Sequence, residues 1–336
     1  MATELHAFVA KLRTLAPDKA AARKPSNINS QSLFAALLNN ELRAQAGDAG
    51  FAQADQVVSK YFKAVLLCRK SELAAALAQL QATDALLPAL PAATRSFVTL
   101  FQLSAWGNYY YKAQQSSRAI DLLRQGLHIS ATLERQGYPA FIYRRLEQLY
   151  NIIAMVFRDG QLGQAHELLT NTLAFTHSGQ ARELLIDDWD AAILGQVPVL
   201  RETSLATLFG LLASQNTRLM SHPLHHNAYY HRVFFQPLLR EMETTTYNRT
   251  VLHNWLYAKA SYEEQGLGAF LDNTLLFLSD PDITSAYDGL KANLLAQAIW
   301  SINQQPTGHH QLIATIRNFS EVNLADHTGL PIKLAA

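Results

Sequence analysis

The sequence predicts an all-α chain made of stacked antiparallel helix pairs, and three observations carry that prediction. Apolar residues recur at three- and four-residue spacing through nearly all of the 336 residues, and strict alternation over a strand length is hard to find. Leu, Ala, Gln and Arg, all good helix formers, are abundant. The chain also matches itself. SRAIDLLRQGL from Ser117 aligns with GQAHELLTNTL from Gly163, and Arg69-x3-Leu73-x2-Ala76-x3-Leu80 aligns with Arg158-x3-Leu162-x2-Ala165-x3-Leu169. Ala76, Ala119 and Ala165 thus recur at offsets of 43 and 46 residues. A unit of that length is two helices that cannot bury their apolar faces alone, and stacking solves the problem.

Taken in order, the periodicity places helices near 3–15, 30–46, 51–69, 71–84, 92–113, 116–135, 140–158, 161–177, 180–195, 201–218, 224–244, 247–264, 267–278, 282–303 and 308–319. Proline and glycine punctuate them. Pro139 follows Gly137 and Tyr138 and opens the run to Arg158, as a first-turn proline does. Pro281 precedes periodicity from Ile283, and Pro306 follows a run ending near Asn303. Pro237, inside FFQPLLRE, either kinks a helix or starts one. Lys19–Ser30 reads as a linker and Asn323–Ala336 as a loop or frayed end. The expected organisation is an N-terminal helix and linker over 1–30, regular repeats over 31–180, less regular helical repeats over 181–322 and a tail over 323–336.

Composition removes several classes. With 49% hydrophobic and 16% charged residues the chain buries enough surface to stay ordered. Lys+Arg 28 against Asp+Glu 27 gives a net charge of +1, which supplies no global field for nucleic acid or anionic membranes. One cysteine, Cys68, forms no internal disulfide and fits a reducing compartment. MATELHAFVAKLR lacks the apolar core of a signal peptide, and no apolar run approaches the ~20 residues that span a bilayer. The expected location is the cytoplasm.

The second unit carries a recognisable pattern. Leu103-x2-Trp106-Gly107-x2-Tyr110 is followed by Ala119-x3-Leu123. This resembles the tetratricopeptide-repeat family, whose pattern is W-x2-L-G-x2-Y, then A-x3-F. The resemblance is good over 100–127, fair over 146–175 and weak over 60–83. It departs from the family in its longer period and in Ile153, which stands where Gly107 does one unit earlier. It implies a right-handed superhelical stack in which the first helix of each pair lines a concave groove. Carried over by matched position, that groove is lined by Tyr61, Val65, Phe101, Ser104, Asn108, Tyr111, Glu147, Tyr150, Ala154 and Phe157. Arg69, Lys112 and Arg158 stand beside it, one cation per unit. Aromatics, an amide and spaced cations suit a peptide of acidic character. The cations also lie where positive charge offsets a helix dipole.

Other features read as ordinary structure. His222, His225, His226 and His231 fall within ten residues, and His222 and His226 have the four-residue spacing of zinc ligands without the accompanying glutamate. Asp187, Asp188 and Asp190 lack the D-D-x-x-D spacing of a magnesium–diphosphate site. Neither G-x-S-x-G nor a phosphate-binding glycine loop is present. The expectation is a non-catalytic protein- or peptide-binding scaffold with no cofactor. The competing expectation is an all-α enzyme or metal-binding protein with its site near His222–His231 and Asp187–Asp190.

Overall fold

The computed structural model describes residues 2–15, 30–222, 227–304 and 310–324. Among them every regular element is a helix. The chain clusters into two compact units, residues 29–205, here the hairpin unit, and residues 1–28 with 206–336, here the terminal unit. Among the described residues no helix is long and apolar enough to cross a membrane.

The hairpin unit begins with α2 (Ser30–Arg69), which is interrupted at Gly47, where φ is 68° and ψ 174°. It continues with α3 (Leu73–Asp84), α4 (Ala92–Lys112), α5 (Ser116–Arg135), α6 (Phe141–Arg158) and α7 (Leu162–Ser178), then the short α8 (Ala191–Leu194) and the start of α9 (Pro198–Leu219). α2 packs on α3 and α4, α4 on α5, α5 on α6, and α6 on α7.

Three turns in this unit are the same structure. Ser71, Gln114 and Gly160 are left-handed, with φ of 64°, 61° and 77°. Each donates its N–H to the carbonyl three residues back, on Cys68, Tyr111 and Phe157. The next residue, Glu72, Gln115 or Gln161, donates five residues back to Leu67, Tyr110 or Val156. This closure satisfies the last carbonyls of the first helix and reverses the chain. The offsets between the turns are again 43 and 46 residues. Just beyond them Ala76, Ala119 and Ala165 are completely buried, and Leu80, Leu123 and Leu169 fill the core one turn later. A Cβ on Gly107 would lie 3.6 Å from the Ala119 carbonyl and 3.5 Å from Leu123, so these helices meet in close but unstrained contact.

In the terminal unit α1 (Ala2–Thr14) packs on α13 (Leu267–Ser279) and α15 (His310–Asn323), so the N-terminal helix joins the C-terminal half of the chain. α12 (Tyr247–Glu264) packs on α13, and nearly every side chain of α14 (Asp288–Asn303) is buried. The α12–α13 turn uses Gly266 at φ 92° and ψ −178° and does not repeat the left-handed closure above. Residues 227–241 form α10 (Asn227–Tyr230), a π-helical stretch His231–Phe235 and α11 (Gln236–Glu241). Pro237 therefore stands at the start of α11, where its missing N–H is tolerated, and the turn before it is widened into the π-helical stretch.

Two predicted helices are corrected. Residues 180–190 are not helical, although the spacing of ARELLIDDWDAAIL predicts a helix over 180–195, and only Ala191–Leu194 forms one. Two of their carbonyls, on Asp187 and Asp188, are instead taken by Arg145 of α6. The helix expected from 282 starts at Asp288, after a 3-10 turn at Ser285–Tyr287. Most of the expected linker and tail, the start of the 224–244 helix and Pro306 lie outside the described residues.

Candidate functional site

The first helices of the three hairpins, α2, α4 and α6, carry the sequence-predicted residues. In α2 the buried stripe is Ala54, Val57, Val58, Tyr61, Ala64 and Cys68. Tyr61 turns inward, and its hydroxyl donates to Asp84 Oδ1 at 2.6 Å. The same carboxylate accepts from Gln102 Nε2 and Trp106 Nε1, both at 3.0 Å, which ties α2, α3 and α4 together. Burial, then Asp84, pushes the Tyr61 hydroxyl far up. The outward residues one position on are Phe62 and Leu66, each 55% exposed and one helical turn apart. The Phe62 ring meets Phe101 of α4 edge-on, with centroids 5.8 Å apart.

α4 and α6 face each other through polar side chains. Arg144 lies over the Phe101 ring, donates to Ser104 Oγ at 2.7 Å and pairs with Glu147. Arg158 donates to the Tyr111 hydroxyl at 2.6 Å. Phe101, Ser104 and Tyr111 thus share a face of α4, with Asn108 between Ser104 and Tyr111 on that stripe. Asn108 Oδ1 is buried with no partner. Tyr150 is half-buried and Phe157 is buried against His166. Of the three cations, Arg69 and Arg158 are exposed, and Lys112 is close enough to Cys68 to lower a thiol that burial otherwise raises. The matched positions do not include Phe62 and Leu66, which lie one position along α2 from Tyr61 and Val65.

Charge separates the two helix layers. The first helices carry Arg43, Lys60, Lys63, Arg69, Arg95, Lys112, Arg144 and Arg158 outside the core against Glu41, Asp48, Asp55 and Glu147. The second helices are balanced, with Arg118, Arg124 and Arg135 against Asp84, Asp121, Glu134 and Glu167. A near-neutral chain thus presents one locally cationic layer.

Arg145, the neighbour of Arg144, points the other way and is completely buried. Its Nη1 donates to Glu134 Oε2 at 2.8 Å and to the Asp188 carbonyl at 2.9 Å, and its Nη2 donates to the Asp187 carbonyl at 3.1 Å. The Trp189 ring lies 3.7 Å from the guanidinium carbon and meets Phe175 edge-on. Arg135 pairs with the Asp188 carboxylate at 2.6 Å, and Asp190 caps α8. Burial raises the Glu134 carboxyl to about 7 against the opposing pull of Arg145. The segment 180–190 is thus a strap fastened to α5 and α6. Glu183, Leu185 and Asp188 in it are left-handed, each at a cost of roughly 1–2 kcal/mol for a residue with a side chain. The strap and Gln164, Glu167 and Leu168 of α7 line an open concavity.

The terminal unit buries a second cation. Lys259 is fully buried in α12, and its Nζ donates to Asn216 Oδ1 of α9 at 2.8 Å and to Gln297 Oε1 of α14. Asn293 Nδ2 bridges Asn216 Oδ1, Thr217 Oγ1 and the Ala213 carbonyl. Phe235 covers the amine at 5.1 Å. Burial lowers the Lys259 amine well below its ordinary value, and Glu263 offsets this in part. Among the described residues no group of three or more His, Cys, Asp and Glu side chains could hold a metal. His231 pairs with Glu264, and His225 and His226 lie outside the described residues.

Comparison with profiles of known protein families, with curated proteins and with solved structures gave no match to this chain. The functional reading therefore rests on the chain's own geometry.

Proposed function

We propose that the protein is a non-catalytic scaffold of the cytoplasm, a tetratricopeptide-like right-handed stack of helix pairs that binds an acidic protein or peptide segment on the face formed by α2, α4 and α6. The observation that carries this reading is the outward apolar pair Phe62 and Leu66 beside Phe101, on a layer whose charges are predominantly positive. Apolar side chains one turn apart present anchors to a partner helix or extended segment, and surrounding cations steer and orient acidic residues. The three identical turns and three buried alanines support the repeat reading, because they recur at the offsets the sequence repeat has. Arg144 and Arg158 are held by Ser104 and Tyr111, so they are positioned before a partner arrives, which lowers the ordering cost of binding.

Selection from a random displayed-peptide library tests this. The expected winners are acidic, carry apolar residues three or four apart, and bind more weakly as salt rises. Winners without acidic bias, or with salt-independent binding, would count against the proposal.

A further inference from the structure

We propose that the strap is a built-in occupant of a second peptide site. The surface of α5, α6 and α7 around Arg135, Arg145 and Phe175 accepts a non-helical acidic segment bearing a tryptophan. Asp187–Trp189 of the chain itself fills that surface until a partner segment of the same chemistry displaces it.

The contacts define the chemistry. Arg145 makes no hydrogen bond to another helix's backbone; both its Nη atoms take consecutive carbonyls of a non-helical segment, as a receptor takes a bound peptide. The following indole stacks on the guanidinium and against Phe175, which selects an aromatic at that position. The carboxylate one residue earlier is read by Arg135. A buried guanidinium always keeps its charge, and Glu134 holds it in place with or without the strap. Displacement is favoured by the backbone of the occupant. Three non-glycine residues of the strap are left-handed; a free segment making the same contacts keeps the one at Asp188 and is released from those at Glu183 and Leu185, which lie outside the contacts. The strap's outward side, from Gln180 to Glu183 and at Asp187 and Asp188, is exposed, so a competitor can enter without unfolding a helix. This site uses none of the residues of the α2–α4–α6 face, and the two proposals fail separately.

The test uses the full chain and a fluorescently labelled peptide of its own residues 183–191. Replacing Asp188 and Trp189 together by alanine loosens the strap and leaves Arg135, Arg145 and Phe175 intact. The peptide is expected to bind this variant at least about tenfold more tightly than the wild type. A peptide whose tryptophan is alanine should lose that gain. On the wild-type protein, a saturating excess of the intact peptide should speed tryptic cleavage after the exposed Arg182 several-fold, because the displaced strap is freed. The proposal is overturned if the helical double variant binds no better than wild type, or if the tryptophan-less peptide binds equally well. If the double variant loses helix content by circular dichroism, the wild-type cleavage arm decides, and unchanged cleavage overturns the proposal.

Discussion

Among the described residues the hairpin unit buries Arg145 completely and the terminal unit Lys259, and the two side chains are accommodated differently. In the hairpin unit Arg145 is matched by a carboxylate, Glu134, as well as by two carbonyls. In the terminal unit Lys259 is met by the amide oxygens of Asn216 and Gln297 and by an aromatic face. The chemistry of the two groups explains the contrast. A guanidinium cannot give up its proton in a protein, so its burial demands a counter-charge. An ammonium can, so amides that accept its remaining N–H bonds suffice. The backbones differ in parallel. The hairpin unit repeats one left-handed turn three times, whereas the terminal unit reverses its chain with a glycine of another conformation and a π-helical stretch.

The largest predicted effect breaks the arginine side of this contrast. Glu134→Ala leaves the Arg145 charge buried and unpaired, and should destabilise the hairpin unit by about 3–5 kcal/mol in a denaturant melt. A loss below about 1 kcal/mol would mean that the carbonyls alone suffice.

Next comes the packing of the repeat. Ala119→Leu adds three carbons where nothing is exposed, and should cost roughly 1–3 kcal/mol. Gly107→Ala is the control: its new methyl meets only ordinary contacts, so it should be neutral or gain up to about 1 kcal/mol from helix propensity.

The lysine side is tested by pH. Because the folded amine titrates well below 10.5, the unfolded chain carries a proton that the folded chain lacks at pH values between the two. Stability of the terminal unit should therefore rise with pH across that window, by up to about 1.4 kcal/mol per pH unit for one proton, and fall as pH drops toward the folded value. Hydrogen exchange of α12 and α14, corrected for intrinsic rates, should show this rise in wild type. Lys259→Met should abolish it; a slope that survives the substitution would assign the effect to another group.

The smallest effect concerns the shared turn. Gln114→Gly should stabilise by about 0.4–1 kcal/mol and Gly160→Ala should destabilise by at least as much, since both positions are left-handed. Equal and opposite behaviour at two turns 46 residues apart would mark them as one structural element.

The repeat was legible in the sequence because its signal is local: small residues where helices touch, at a fixed offset, each a few residues after a turn. Tyr61 shows the limit of that reading. A repeat alignment carries an error of one residue as a 100° rotation about the helix axis, which exchanges Tyr61 for Phe62 at the surface. The strap was illegible because ARELLIDDWDAAIL has helical spacing, and the contact it makes instead is to a guanidinium some 40 residues away in sequence. The lysine cluster left a trace. Leu252, Trp255, Leu256 and Lys259 follow one helical stripe, so the lysine stands in an apolar position. Its partners on α9 and α14 become visible only in three dimensions.

The proposed role of the Phe62–Leu66 pair is that of a binding anchor. Leu66→Asn, which removes the apolar group without adding a charge that would itself repel the ligand, tests that role by fluorescence anisotropy against an acidic peptide selected on the wild-type protein. Leu66 is 55% exposed, so the fold should tolerate the change to within about 0.5 kcal/mol. Affinity is expected to fall at least about tenfold while the thermal melt is nearly unchanged. An affinity equal to wild type, on a variant that melts like wild type, would contradict it.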